Sequence, residues 1–121
     1  MNGPVSVVDD DESVRQALAG LLRSAGFQVS TFASAEEFVA SAQLGESRCL
    51  ILDLRLPGMS GLELQQRLAN EGRRLPIVIL TAHGDEEARA RALKAGVVAF
   101  MPKPFDGEVL LRTVEAALKT A

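Results

Sequence analysis

The chain has 121 residues, 47% hydrophobic and 24% charged, with a formal net charge of −3, the composition of one folded domain with a real core. No apolar run approaches the ~20 residues of a membrane span and no basic segment leads into an apolar one at the start, so a cytoplasmic setting is expected. The acidic balance argues against this domain gripping DNA by itself, and a single cysteine, Cys49, excludes an intrachain disulfide and a multi-cysteine metal site.

In chain order, the first apolar run, Val5–Val8, enters four consecutive acids, Asp9, Asp10, Asp11 and Glu12. At about 4 Å and an effective dielectric near 20, each repelling pair costs roughly 4 kcal/mol before screening. Asp11 is read as the N-cap of a helix, with Glu12 favouring its dipole. Asp9 and Asp10 precede that cap and call for something positive. The helix has the stripe Val14, Leu18, Leu21, Leu22 and Ala25 and stops at Gly26. A second run, Phe27–Thr31, leads to Ser34-Ala-Glu-Glu37, a capping-box pattern that starts a second helix. The third run, Cys49–Leu52, makes Cys49 a buried strand thiol rather than a nucleophile and ends at Asp53. Ser60-Gly-Leu-Glu63 starts a third helix, closed by Gly72.

The fourth run, Ile77–Leu80, reaches Thr81 and the loop Thr81-Ala82-His83-Gly84, where the only histidine reads as a loop residue near a site rather than a catalytic one. The fourth helix, Asp85–Ala95, turns small residues inward (Ala88, Ala92, Leu93, Ala95) and Arg89, Arg91 and Lys94 outward. Little buried area should hold it less firmly than the first helix. Gly96 closes it. The fifth run, Val97–Phe100, continues to Lys103 and Pro104, and Asp106 caps a last helix with the stripe Leu110, Val114, Ala117 and Leu118.

This is (βα) five times over. The nearly unbroken Val, Ile and Leu of the runs near residues 5, 50 and 77 mark strands buried on both faces of a parallel sheet, with helices on both sides: a doubly wound α/β fold. Such sheets bind ligands at the carboxyl ends of their strands, where Asp9, Asp10, Asp53, Thr81 and Lys103 converge. Plainer roles stand beside this one: Lys103 as a counter-ion, Thr81 as a cap for the turn into the fourth helix, Phe100 as a half-buried edge-strand residue. Three acids suit a hard divalent cation such as magnesium, and a hydroxyl and an ammonium add what a phosphoryl group requires. No GxxxxGK[ST] or GxGxxG loop is present to bring a nucleotide. Phosphorylation of Asp53 itself, with carboxylate as nucleophile, is the economical reading.

The segments Val7-Val8-Asp9-Asp10, Leu52 to Gly61 (LDLRLPGMSG), Ile79-Leu80-Thr81-Ala82 and Lys103-Pro104-Phe105 together resemble the receiver domain of two-component response regulators, over essentially the whole chain. Arg55-Leu56-Pro57, Thr81 to Gly84 and Lys103-Pro104-Phe105 look most like the FixJ branch (FixJ/NarL-like), whose members usually carry a C-terminal helix-turn-helix domain. The resemblance implies a flavodoxin-like strand order 2-1-3-4-5 and a cis Lys103–Pro104 bond. It implies that Asp53 accepts phosphoryl from a sensor histidine kinase. Magnesium, or manganese in its place, would be held by Asp10, by Asp53, by Asp9 through water and by the backbone carbonyl of Arg55. Lys103 and Thr81 would contact the phosphoryl oxygens, and Phe100 would turn inward as Thr81 moves.

Phosphorylation would then shift the surface of the fourth helix, fifth strand and fifth helix, with Phe100, Arg89, Arg91, Lys94, Arg112 and Glu115, toward a homodimer. On this reading residues 1–121 form one receiver domain, alone or at the N-terminal end of a longer regulator that reaches DNA only through its effector domain. It is a signalling switch with self-catalysed phosphotransfer and autodephosphorylation, not a turnover enzyme. Phe at 100 in place of Tyr removes a hydroxyl, Pro102 stiffens the loop before Lys103, and Arg55 and His83 stand where receivers tune acyl-phosphate lifetime. The competing reading is a magnesium-dependent phosphohydrolase with Asp53 as nucleophile, but its expected acid two residues on is Arg55. A flavodoxin-like ligand-binding module lacks its aromatic pair in a chain without Trp or Tyr.

Overall fold

Strands whose residues are nearly all Val, Ile and Leu have no polar face to offer water, and here they take the middle of the sheet. The computed structural model describes residues 3–82 and 84–120. β1 (Val5–Val8), β3 (Cys49–Leu52) and β4 (Ile77–Thr81) are buried along their full length. β2 (Val29–Phe32) and β5 (Ala99–Pro102) are the edges of a five-stranded parallel sheet in the order β2-β1-β3-β4-β5. Pro102 sits in an edge strand, where a missing N–H is tolerated.

Among the described residues six helices flank the sheet: α1 (Glu12–Ser24), α2 (Ala35–Val39), α3 (Gln43–Glu46), α4 (Gly61–Asn70), α5 (Glu86–Lys94) and α6 (Gly107–Thr120). On one face Val5, Val7, Ile51, Val78 and Leu80 pack with Leu18 and Leu22 of α1 and Leu110 and Val114 of α6. On the other, Val8, Leu50, Leu52 and Ile79 pack with Phe38 of α2, Leu64 and Leu68 of α4 and Ala92 of α5. Among the described residues no helix is long and apolar enough to cross a membrane.

The caps are those the sequence predicts. Asp11 Oδ1 accepts from Ser13 N–H at 2.8 Å, Asp106 Oδ1 from Glu108 N–H at 2.9 Å, and Ser60 and Glu63 form a reciprocal capping box. Three expectations need correction. The second helix is two short ones, because the Ser41 hydroxyl donates to Phe38 O at 2.8 Å and accepts from Gln43 N–H at 3.2 Å, closing one turn and opening the next. β2 and β5 start two residues later than their apolar runs. Gly26 and Gly96 have φ of +93° and +103°, and the apolar residue after each folds back: Phe27 N–H donates to Leu22 O at 3.1 Å and Val97 N–H to Ala92 O at 3.2 Å. Phe27 and Val97 thus close helices by Schellman bonds instead of opening strands. Finally, Ala25 and Ala95 are exposed and Leu93 is 39% exposed. In α5 only Ala92 is buried, since Leu93, one residue further on, is turned about 100° away at 3.6 residues per turn.

Candidate functional site: an acidic cluster at the carboxyl edge of the sheet

Register assembles the site. Val8 lies opposite Leu52, so Asp9 and Asp53, next along each strand, leave the sheet side by side, and Asp53 N–H donates to Val8 O at 3.1 Å. Thr81 lies opposite Pro102, and Lys103 N–H donates to Thr81 O at 3.0 Å. The Lys103–Pro104 peptide is cis, as the resemblance implies.

Asp9 and Asp53 are 2% and 4% exposed. Lys103 Nζ stands between them, 2.7 Å from Asp9 Oδ2 and 2.8 Å from Asp53 Oδ2. The other oxygen of each carboxylate takes a main-chain N–H: Asp11 N–H reaches Asp9 Oδ1 at 2.9 Å and Arg55 N–H reaches Asp53 Oδ1 at 3.2 Å. Burial raises the pKa of Asp9, outweighing the opposing pull of Lys103. Burial alone would lower Lys103, but its hydrogen bonds to Asp53 and Asp9 win and raise it, so the ammonium is held firmly charged.

The run of four acids now divides. Asp10, Asp11 and Glu12 are exposed, which screens their repulsion, and Asp11 is occupied as a cap. Asp9 is the buried member and has a cation at hand. Carboxylate oxygens of Asp9, Asp10 and Asp53 lie within 4.8 Å of one another. Three carboxylates and one ammonium leave a formal charge of −2 on the cluster. A divalent cation balances that charge, and an all-oxygen donor set with an exposed member suits a hard ion that keeps some of its water. The residues present therefore fit a divalent metal.

Thr81 is buried at the end of β4. The N-cap of α5 is Asp85, its Oδ1 accepting from Ala88 N–H at 2.8 Å. Phe100 is half-buried against the second core. A Cβ on Gly84 would strike the Phe100 ring and come within 3.2 Å of Thr81 Cγ2, so loop, ring and threonine form one contact group. His83 lies outside the described residues. The buried Cys49 thiol is pushed up to about 12 by desolvation, in keeping with an inert strand residue.

Two polar residues at the site's edge escape sequence reasoning. Arg15 Nη1 donates to the backbone carbonyl of Asp9 at 2.7 Å; its place one turn beyond the Asp11 cap was the available signal. Glu36 of α2 accepts from Met59 N–H at 2.8 Å, a contact across two crossovers that no local pattern announces.

A doubly wound parallel sheet that gathers an aspartate–lysine couple and a cation-ready acid cluster at its carboxyl edge offers the groups that a phosphoryl ligand requires. The model of the response regulator receiver domain matches residues 5–115, and the chain belongs to that family. It is 44% identical over 117 residues to the response regulator protein TodT of Pseudomonas putida, covering 97% of this chain and 52% of TodT. It is 46% identical over 113 residues to nodulation protein W of Bradyrhizobium diazoefficiens, covering 93% of this chain and 50% of that protein. The chain thus spans about half the length of these relatives.

Among solved structures, FixJ-N superposes with a TM-score of 0.87 at 39% identity, covering 100% of this chain and 97% of that one. The response regulator StyR superposes with a TM-score of 0.88 at 48% identity, covering 98% of this chain and 60% of that one. Membership makes the chain a response regulator receiver domain. The phosphohydrolase reading is not favoured.

Proposed function

We propose that Asp53 is the phospho-acceptor of this receiver domain and that the acids around it hold magnesium. The carrying observation is the Lys103 ammonium, 2.8 Å from Asp53 Oδ2 and 2.7 Å from Asp9 Oδ2, which aims a cation at the carboxylate that would receive a phosphoryl group. A carboxylate oxygen of Asp53 attacks the phosphorus of a phosphohistidine, an O–P bond forms, the N–P bond breaks, and the imidazole nitrogen keeps the electron pair and takes a proton. The Arg55 N–H and Lys103 orient the carboxylate beforehand. Asp10, Asp53, the Arg55 carbonyl and, through water, Asp9 would hold magnesium or manganese, which would supply charge neutralisation at the phosphoryl oxygens. Lys103 transfers its contact to a phosphoryl oxygen, the Thr81 hydroxyl follows, and Phe100 moves with it because ring and threonine share the Gly84 contact.

The reading extends to the outer surface. α5 is held through one buried alanine, so it is free to shift together with the edge strand β5 that it contacts. Between β5 and α6 an apolar groove is lined by Val98, Ala99, Val109 and Ala116, with Val98 45% and Val109 40% exposed. This face, with Arg112 in its lining, suits a phosphorylation-dependent homodimer, with Arg89, Lys94 and Glu115 exposed on α5 and α6; Arg91 instead faces α4. We read residues 1–121 as one receiver domain and a switch rather than a turnover enzyme, any contact with DNA belonging to a separate effector domain. Labelling with phosphoramidate in magnesium tests the assignment: intact mass should show one phosphoryl group on the wild type and none on Asp53→Asn. A phosphorylated Asp53→Asn protein would refute it.

A further inference from the structure

Between β3 and α4 the chain turns through Leu56, Pro57, Gly58 and Met59. With Gly58 at φ +75°, the Pro-Gly pair has the signature of a type II turn. The fourth residue of such a turn ordinarily closes it with its own N–H. Here the Met59 N–H is given to Glu36 Oε2 at 2.8 Å, from a residue 23 positions away. Glu36 stands in the first turn of α2, and α2 is anchored by the fully buried Phe38, edge-on to Phe32 with ring centres 5.4 Å apart. A Cβ on Gly58 would come within 3.1 Å of the Glu36 Cδ, so the turn seats against this carboxylate only because residue 58 is glycine. The base of the loop is fixed separately, by Arg55 N–H on Asp53 Oδ1 at 3.2 Å and by Gly61 N–H on Leu54 O at 2.9 Å. Glu36 holds the tip.

We propose that Glu36 is a positioning residue for the phosphoryl-accepting site, tying the 54–60 loop to α2 so that the backbone at Arg55 keeps its place beside Asp53 and a divalent cation. The inference rests on Asp53 being the acceptor. Glu36 acts through the loop. The Met59 N–H holds the Glu36 carboxyl below the usual carboxylate range, so the clamp is a full anionic acceptor at neutral pH.

Glu36→Ala and Glu36→Gln, made in the full chain, separate this role from a purely structural one. Glu36 is exposed, so truncating it leaves both cores intact, and Gln keeps an oxygen for the Met59 N–H. With phosphoramidate as donor and magnesium titrated, Glu36→Ala should raise the half-saturating magnesium concentration by about tenfold, the scale of lost outer-shell support, with less change in rate at saturating metal. Exchange of the Met59 amide in heavy water should quicken in Ala, and Gln should restore both. An unchanged magnesium curve in Glu36→Ala overturns the proposal, and so does Gln behaving like Ala. Asp53→Asn run alongside keeps the two readings apart. If Asp53→Asn is still phosphorylated, the acceptor assignment fails. If it is silent while Glu36→Ala keeps the wild-type curve, the clamp alone fails.

Discussion

A buried carboxylate with a lysine beside it is usually counted as stabilising, yet at Asp9 burial outweighs the lysine and the pKa is raised. A group with a raised folded pKa contributes stability that is complete below its unfolded pKa, about 3.9 for Asp, and is lost as pH climbs through the folded value. At neutral pH without metal, ionised Asp9 is therefore a net burden. Asp9→Asn should raise the denaturation midpoint in EDTA at pH 7, with the gain shrinking as pH falls through the raised folded value and gone below about pH 4. Asn still accepts from Asp11 N–H, and Lys103 keeps Asp53. Exposed Asp10 should gain less from the same change. A less stable Asp9→Asn protein at pH 7 would show that the lysine outweighs burial. Gly84 offers a second test. Its missing Cβ leaves room for the Phe100 ring, so Gly84→Ala should displace that ring, seen as shifted Phe100 ring resonances, at a stability loss of about 1–3 kcal/mol from overpacking. Unmoved resonances would remove Gly84 from the switch.

At the scale of elements, the loosely held α5 has a polar tether. The buried Gln65 of α4 donates from Nε2 to Ala92 O at 3.2 Å, the carbonyl that also takes the closing Val97 N–H. Gln65→Leu replaces a bond worth about 0.5–1.5 kcal/mol with apolar contact, so global stability should change little while α5 amides exchange faster. Equal protection in both proteins would mean α5 does not depend on this tether. The opposite case is Gly61. An added Cβ would strike the Asp53 carbonyl and come within 2.9 Å of Leu54 Cα; backbone cannot yield, so Gly61→Ala should lose at least about 1–3 kcal/mol in urea unfolding. A neutral effect would show that α4 is free to shift.

Strand identity and sheet class were legible because Val, Ile and Leu runs between helical stripes admit few other arrangements. The site residues were legible because they terminate those runs, where a parallel register must gather them. Phe27 and Val97 misled because an apolar residue after a helix-closing glycine resembles the start of a strand. Leu93 misled because a weak stripe of alanines does not fix helix rotation. Arg15 and Glu36 were hidden because their partners are backbone groups, which leave at most a positional hint such as Arg15's place one turn past the Asp11 cap.

The whole molecule places an acid cluster at the carboxyl edge of the sheet and a helix held by one buried residue, α5, next to the edge strand β5. Phosphorylation that reaches the outer surface should change association. Sedimentation velocity should show a monomer that shifts toward dimer with beryllofluoride and magnesium, and an unchanged monomer would contradict dimerisation through the β5–α6 groove. The central claim is narrower, that the phosphoryl group sits on one named carboxylate. An acyl phosphate is reduced by borohydride to the alcohol, turning aspartate into homoserine, whereas a phosphoester or phosphohistidine is not. Peptide mapping of the phosphoramidate-treated, borohydride-reduced protein should place homoserine at position 53. Homoserine at 9, 10 or 11 in its place, or none at all, would contradict the assignment.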